Sequence, residues 1–109
     1  MSGGGPPDRL RIELIEDSPA EATIKLHGEL DLVTSQRLRD ELGRLEGRRV
    51  VLDLANVEFL DSTGLVLLME EAPKGGDVVL ARDLSPPVAR LFEVTKTEQL
   101  FEWEPPSSP

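Results

Sequence analysis

The run Phe59-Leu60-Asp61-Ser62-Thr63-Gly64-Leu65-Val66-Leu67-Leu68-Met69 is the segment of this chain best suited to chemistry. A strand ends in it, a polar triplet follows, and a helix of unusual composition begins. Ser62 falls at the N-cap or in the first turn, beside unpaired backbone N–H groups at the positive end of the helix dipole. A hydroxyl there is well placed to carry a phosphate, because the same N–H groups stabilise the resulting anion. Asp-Ser pairs cap many helices without any such role, so the residues that follow must carry the reading. Leu65 to Met69 are five consecutive apolar residues. At about 100° per residue they cover nearly the whole circumference of a helix, of which one stripe faces a sheet. Leu65, Leu68 and Met69 fit that stripe. Val66 and Leu67 are left as an apolar patch beside Ser62, either open to a partner or covered by a loop or a second copy. On the open reading, Val66→Asp or Leu67→Asp abolishes partner binding without moving the unfolding midpoint.

The elements around this run follow from periodicity. Leu10, Ile12 and Leu14 alternate with Arg11 and Glu13, and Ala22, Ile24 and Leu26 alternate with Thr23, Lys25 and His27. Asp17-Ser18-Pro19 separates them, which gives two half-buried strands joined as a hairpin. Leu38, Leu42 and Leu45 then recur at helical spacing, with Thr34 or Ser35 as cap and Gly47 as stop. Val50-Val51-Leu52-Asp53-Leu54 suits a central strand covered on both faces. The helix opened by Ser62 stops before Pro73. Asp77 to Ala81 form another buried strand, and Ser85-Pro86-Pro87 supplies a cap and an initiating proline for a helix carrying Val88, Leu91 and Phe92. A last strand from Leu100 to Trp103 closes the domain. The alternation predicts an α/β fold: a mixed, mostly parallel sheet of about five strands with three helices. Residues 1–7 and 104–109, rich in Gly, Pro and Ser, read as flexible tails around one domain at 8–103.

Composition narrows the function. Twelve Lys and Arg against 21 Asp and Glu give a net charge of −9, which repels nucleic acid and favours a basic partner. The chain has no cysteine, so disulfides and thiolate metal sites are excluded. Neither a signal sequence nor a membrane-length apolar run is present, which fits a soluble cytoplasmic protein. The single histidine, His27, lies on the polar face of a strand, so a triad through Ser62 is not expected and the chain does not read as an enzyme. The Asp-Ser-Thr-Gly run lacks the spacing and the second copy that an aspartic protease needs. Asp53, Glu58 and Asp61 are ordinary strand-end carboxylates rather than a cation site. No cofactor is expected, and Gly75-Gly76 reads as a turn.

Four motifs in order give the chain a resemblance. Gly28-Glu29-Leu30-Asp31, Val51-Leu52-Asp53-Leu54, Phe59 to Leu65, and Ser85-Pro86-Pro87-Val88-Ala89-Arg90-Leu91-Phe92 resemble the bacterial STAS family of anti-sigma factor antagonists over nearly all of 8–103. The resemblance implies a STAS-like domain that acts by partner switching. The unphosphorylated antagonist binds an anti-sigma factor with kinase activity and frees the sigma factor. Phosphorylation then turns it off, and a serine phosphatase restores the hydroxyl. Ser62 matches the acceptor, Asp31 and Asp61 match acidic residues bordering it, and Thr63 and Gly64 complete its loop; Val66 and Leu67 extend the partner-binding surface. A phosphate adds about −1.5 to −2 charges. Opposite a carboxylate about 6 Å away, each unit-charge pair costs roughly 3 kcal/mol before screening. The helix N-terminus could instead welcome the phosphate, leaving exclusion of the partner to sterics. No nucleic acid or membrane enters this scheme, and the protein is expected as a monomer or weak dimer. The alternative is a STAS scaffold or accessory subunit of a stress-signalling complex or transporter, without sigma-factor control. Two departures from the family pattern stand out: Pro73 and Gly75-Gly76 shorten the helix after Ser62, and the usual glycine is missing from 93–97.

Overall fold

A computed structural model describes residues 9–105. The hairpin forms as its alternation requires, from β1 (Leu10–Ser18) and β2 (Glu21–Leu30), paired antiparallel from Leu10↔Gly28 to Ser18↔Glu21. The Ser18 hydroxyl closes the turn by accepting from the N–H groups of Ala20 and Glu21, at 3.2 and 3.1 Å. Helix α1 (Ser35–Arg44) crosses to β3 (Arg49–Leu60), and α2 (Ser62–Glu71) crosses to β4 (Val78–Leu80). Helix α3 (Pro86–Thr95) and a 3-10 turn (Glu98–Leu100) follow. The sheet order is β1-β2-β3-β4, with both β2–β3 and β3–β4 parallel.

One face of this sheet is covered. Ala22, Ile24, Leu26, Val50, Leu52 and Leu54 are buried with Leu38 and Leu42 of α1, Leu65, Leu67 and Leu68 of α2, and Val88 and Phe92 of α3. The opposite face keeps Thr23, Lys25, Val51 and Asp53 half-exposed, so β3 is not the two-sided strand its composition suggests. Asp53 explains part of this: its carboxylate, which accepts from the Ala55 N–H at 2.9 Å, stays hydrated on an open face and would lose that hydration under an apolar cover.

The expected closing strand is replaced by two single bridges, Pro73↔Phe101 and Leu80↔Trp103. With β4 only three residues long there is no ladder for a full strand to join. Packing holds the segment instead: the Phe92 ring lies 4.9 Å from that of Phe101 and 6.2 Å from that of Trp103. Among the described residues the sheet therefore has four strands, where about five were expected. Glu104, assigned by composition to a tail, donates its N–H to Leu80 O at 2.8 Å and accepts from Arg82 Nε at 2.7 Å. The remaining tail residues, 1–7 and 106–109, lie outside the described residues, as does Asp8.

Candidate functional site

Strand β3 ends at Leu60, and Asp61 rather than Ser62 caps α2. Its backbone is extended (φ −96, ψ −175), and its Oδ1 accepts the Gly64 N–H at 2.9 Å, satisfying one orphan donor of the first turn. The other oxygen, Oδ2, accepts the Leu32 N–H at 3.2 Å, and the Asp61 N–H donates to Leu30 O at 3.3 Å. Asp61 thereby ties the loop between β2 and α1 to the start of α2. Gly64 makes that approach possible. A Cβ at this position would stand 2.5 Å from the Leu30 carbonyl oxygen and 2.6 Å from Leu60 Cδ1. Thr63 is half-buried beside it.

Ser62, freed from capping, is the first residue of α2 and is exposed; among the described residues its hydroxyl has no hydrogen-bond partner. Four and seven residues on, Val66 and Met69 return to the same side of the helix, 48% and 36% exposed. Leu67 does not belong to this surface: it is 0% exposed, a correction to the expected patch. The reason is that α2 packs against both β3 and α1. Two neighbours bury a wider arc than one sheet would, running through Gly64, Leu65, Leu67, Leu68 and Ala72 and leaving Met69 outside. Arg39 of α1 fastens this contact with ion pairs to Glu70 and Glu71, at 3.1 and 3.2 Å.

Asp31 is buried and differently employed. Its Oδ1 accepts the N–H groups of Val33 and Thr34 at 3.0 Å each and the Thr34 hydroxyl at 3.1 Å, while Oδ2 pairs with Arg9 at 2.7 Å. Burial works to raise the Asp31 pKa. The Thr34 N–H and hydroxyl, the Arg9 guanidinium and the Val33 N–H outweigh it and hold the carboxyl below its ordinary value of 3.8. Asp31 thus fixes the loop, and beside Ser62 the carboxylate that forms no ion pair among the described residues is that of Asp61.

Four residues at or near the site escaped the sequence reading as contributors. Leu32 and Val33, 71% and 72% exposed, stand on the loop that Asp61 holds against α2, and Phe59 adds a further exposed ring at 48%. An apolar pair in the three-residue loop between β2 and the cap of α1 matches neither periodicity, and that mismatch was the available signal. Arg9 was missed because its partner is 22 positions away in the chain. His27 contacts Glu13 at 3.1 Å, not Ser62. Among the described residues no group of three or more His, Cys, Asp or Glu could hold a metal ion.

The model for the family described as "Mlab, STAS domain" matches residues 14–102. This chain belongs to the STAS family. It is 34% identical to the anti-sigma F factor antagonist of Paenibacillus polymyxa, covering 79% of each chain. It is 33% identical to a STAS-domain containing protein of Pseudomonas aeruginosa, over 75% of this chain and 86% of the relative. Identity to the anti-sigma-F factor antagonist RsfB of Mycobacterium tuberculosis is 30%, over 87% and 84%. Among solved structures, an anti-sigma factor antagonist from Mycobacterium paratuberculosis matches this STAS domain with a TM-score of 0.70 at 28% identity, covering 93% and 90%. Unphosphorylated SpoIIAA shares the fold at a TM-score of 0.66 and 17% identity, covering 87% and 89%. Both the α/β class and the STAS fold expected from the motifs are those observed.

Proposed function

We propose that this STAS protein is an anti-sigma factor antagonist that works by partner switching, with Ser62 as its phosphoacceptor. The observation carrying this reading is an exposed hydroxyl without a partner among the described residues, at the first turn of α2, on one stripe with Val66 and Met69 and beside the loop of Leu32. The names of the Paenibacillus and Mycobacterium relatives support the sigma-factor setting. The unphosphorylated surface docks on an anti-sigma factor kinase in the cytoplasm. This chain supplies the acceptor and performs no catalysis of its own. Ser62 Oγ attacks the γ-phosphorus of ATP held by the kinase; the bond to ADP breaks, and the hydroxyl proton passes to a base on the kinase. A serine phosphatase reverses the step by hydrolysis. The added charge, about −1.5 to −2, then lies beside Asp61 and within an apolar contact, where desolvation and repulsion both weaken binding.

Calorimetric titration of the unmodified and the Ser62-phosphorylated protein against the anti-sigma factor kinases of the same genome tests this. We expect one kinase to bind the unmodified form at least tenfold more tightly. Equal affinities would overturn the switch. A second reading, a STAS scaffold that docks constitutively, is an outcome of the same titration. In that case a non-kinase partner binds both forms alike.

A further inference from the structure

The two edges of the sheet are treated differently. Beside β4 the chain covers its own edge: Leu80 donates its N–H to Glu102 O and accepts the Glu104 N–H, both at 2.8 Å. Beside β1 no strand pairs among the described residues, although β1 is nine residues long. A long open edge offers a row of backbone donors and acceptors to another strand. The Glu29 N–H bonds Arg9 O at 2.6 Å, so the Arg9 carbonyl faces β2. By alternation the backbone groups of Leu10, Ile12 and Leu14 face outward. Arg37 of α1 agrees with that, since its Nη1 reaches the outward Leu10 carbonyl at 2.6 Å and leaves that oxygen one further lone pair.

The outward segment Leu10-Arg11-Ile12-Glu13-Leu14 is self-complementary when read antiparallel to itself. A twofold axis through Ile12, normal to the sheet, sets Ile12 against its own copy and Leu10 against Leu14. It also sets Arg11 against Glu13, twice by symmetry. Ile12 and Leu14 are partly and poorly covered in the single chain, Leu14 at 38% exposed, so the copy would bury apolar surface that the core leaves uncovered. Axes through Arg11 or Glu13 would place like charges face to face. An axis through Leu14 would set Ile12 against Glu16 and run the ladder into the bulge between Glu16 and Ser18.

We propose that a second copy of this chain pairs along the outer edge of β1, antiparallel and in the register centred on Ile12. Ser62 sits at the end of the sheet where Leu30 pairs with Leu60, so this axis sends the two Ser62 sites to opposite ends of the joined sheet, each open to its own partner.

The chain has no cysteine, so a single introduced thiol reports the register. Across the axis a hydrogen-bonded pair has Cα atoms about 5.5 Å apart, within disulfide range. With one cysteine at a time at positions 11, 12, 13 and 14, mild oxidation is expected to link Ile12→Cys into dimers and the others far less. In sedimentation equilibrium the unmodified protein should show a concentration-dependent dimer. Arg11→Glu, at an exposed position, should weaken that dimer about tenfold, and adding Glu13→Arg should restore it. A monomer at every concentration, linking at position 11, 13 or 14 as efficient as at 12, or no rescue by the double variant would overturn the proposal.

Discussion

The serines that open α2 and α3 are used in opposite ways. Ser85, before α3, is buried, and its hydroxyl donates to Val57 O at 2.6 Å, locking the helix onto the end of β3. Pro86 and Pro87 open that helix, so it presents few free N–H groups. Ser62, at the start of α2, is exposed, because Asp61 has taken over the capping and the loop-tying. A serine with a buried partner holds structure. One relieved of that work by its neighbour is available for modification.

Substitutions can break or sharpen this contrast. The largest effect should come from Leu67→Asp, which puts a carboxylate where no solvent reaches: we expect loss of about 4 kcal/mol or more and no cooperative unfolding transition near room temperature by circular dichroism. The adjacent Val66→Asp, on the open side, should keep the wild-type melting temperature and lose partner binding. Gly64→Ala forces a methyl group into the Leu30 carbonyl and should cost about 3 kcal/mol in urea unfolding, separating the start of α2 from the loop of Leu32. Ser85→Ala strands the Val57 carbonyl and should cost about 1–3 kcal/mol, whereas Ser62→Ala should stay within about 0.5 kcal/mol of wild type.

A change at Asp31 is read best through pH. Its carboxyl is held below 3.8 in the folded protein, so the unfolded chain binds the proton first as pH falls. The stability this group contributes is complete above 3.8 and is lost as pH drops through the lower folded value. Asp31→Asn should flatten that part of the acid-unfolding curve and leave the curve at neutral pH parallel to wild type.

Much of this was legible in the chain itself. Alternation in Leu10–Leu14 and Ala22–Leu26 placed the hairpin, and the run from Phe59 to Gly64 placed the candidate acceptor at a helix start. The failures share a cause, which is that local pattern does not report how many neighbours an element has. Leu67 was assigned to the surface because one stripe was allotted to a sheet, yet α1 buries a second arc of α2. Leu100 to Trp103 looked like a strand because its residues favour one, but a three-residue β4 gave it nothing to pair with beyond single bridges. Asp31 resembled a bordering acid, and the pairing with Arg9 that neutralises it depends on β1 lying next to β2.

The central claim is that Ser62 accepts the phosphate, and intact-mass measurement tests it most directly. The protein and its Ser62→Ala variant are incubated with ATP and each anti-sigma factor kinase of the same genome. The account predicts that one kinase adds a single phosphate to the wild type and none to the variant. Equal phosphorylation of both, or no phosphorylation of either by a kinase that binds the protein, would contradict it.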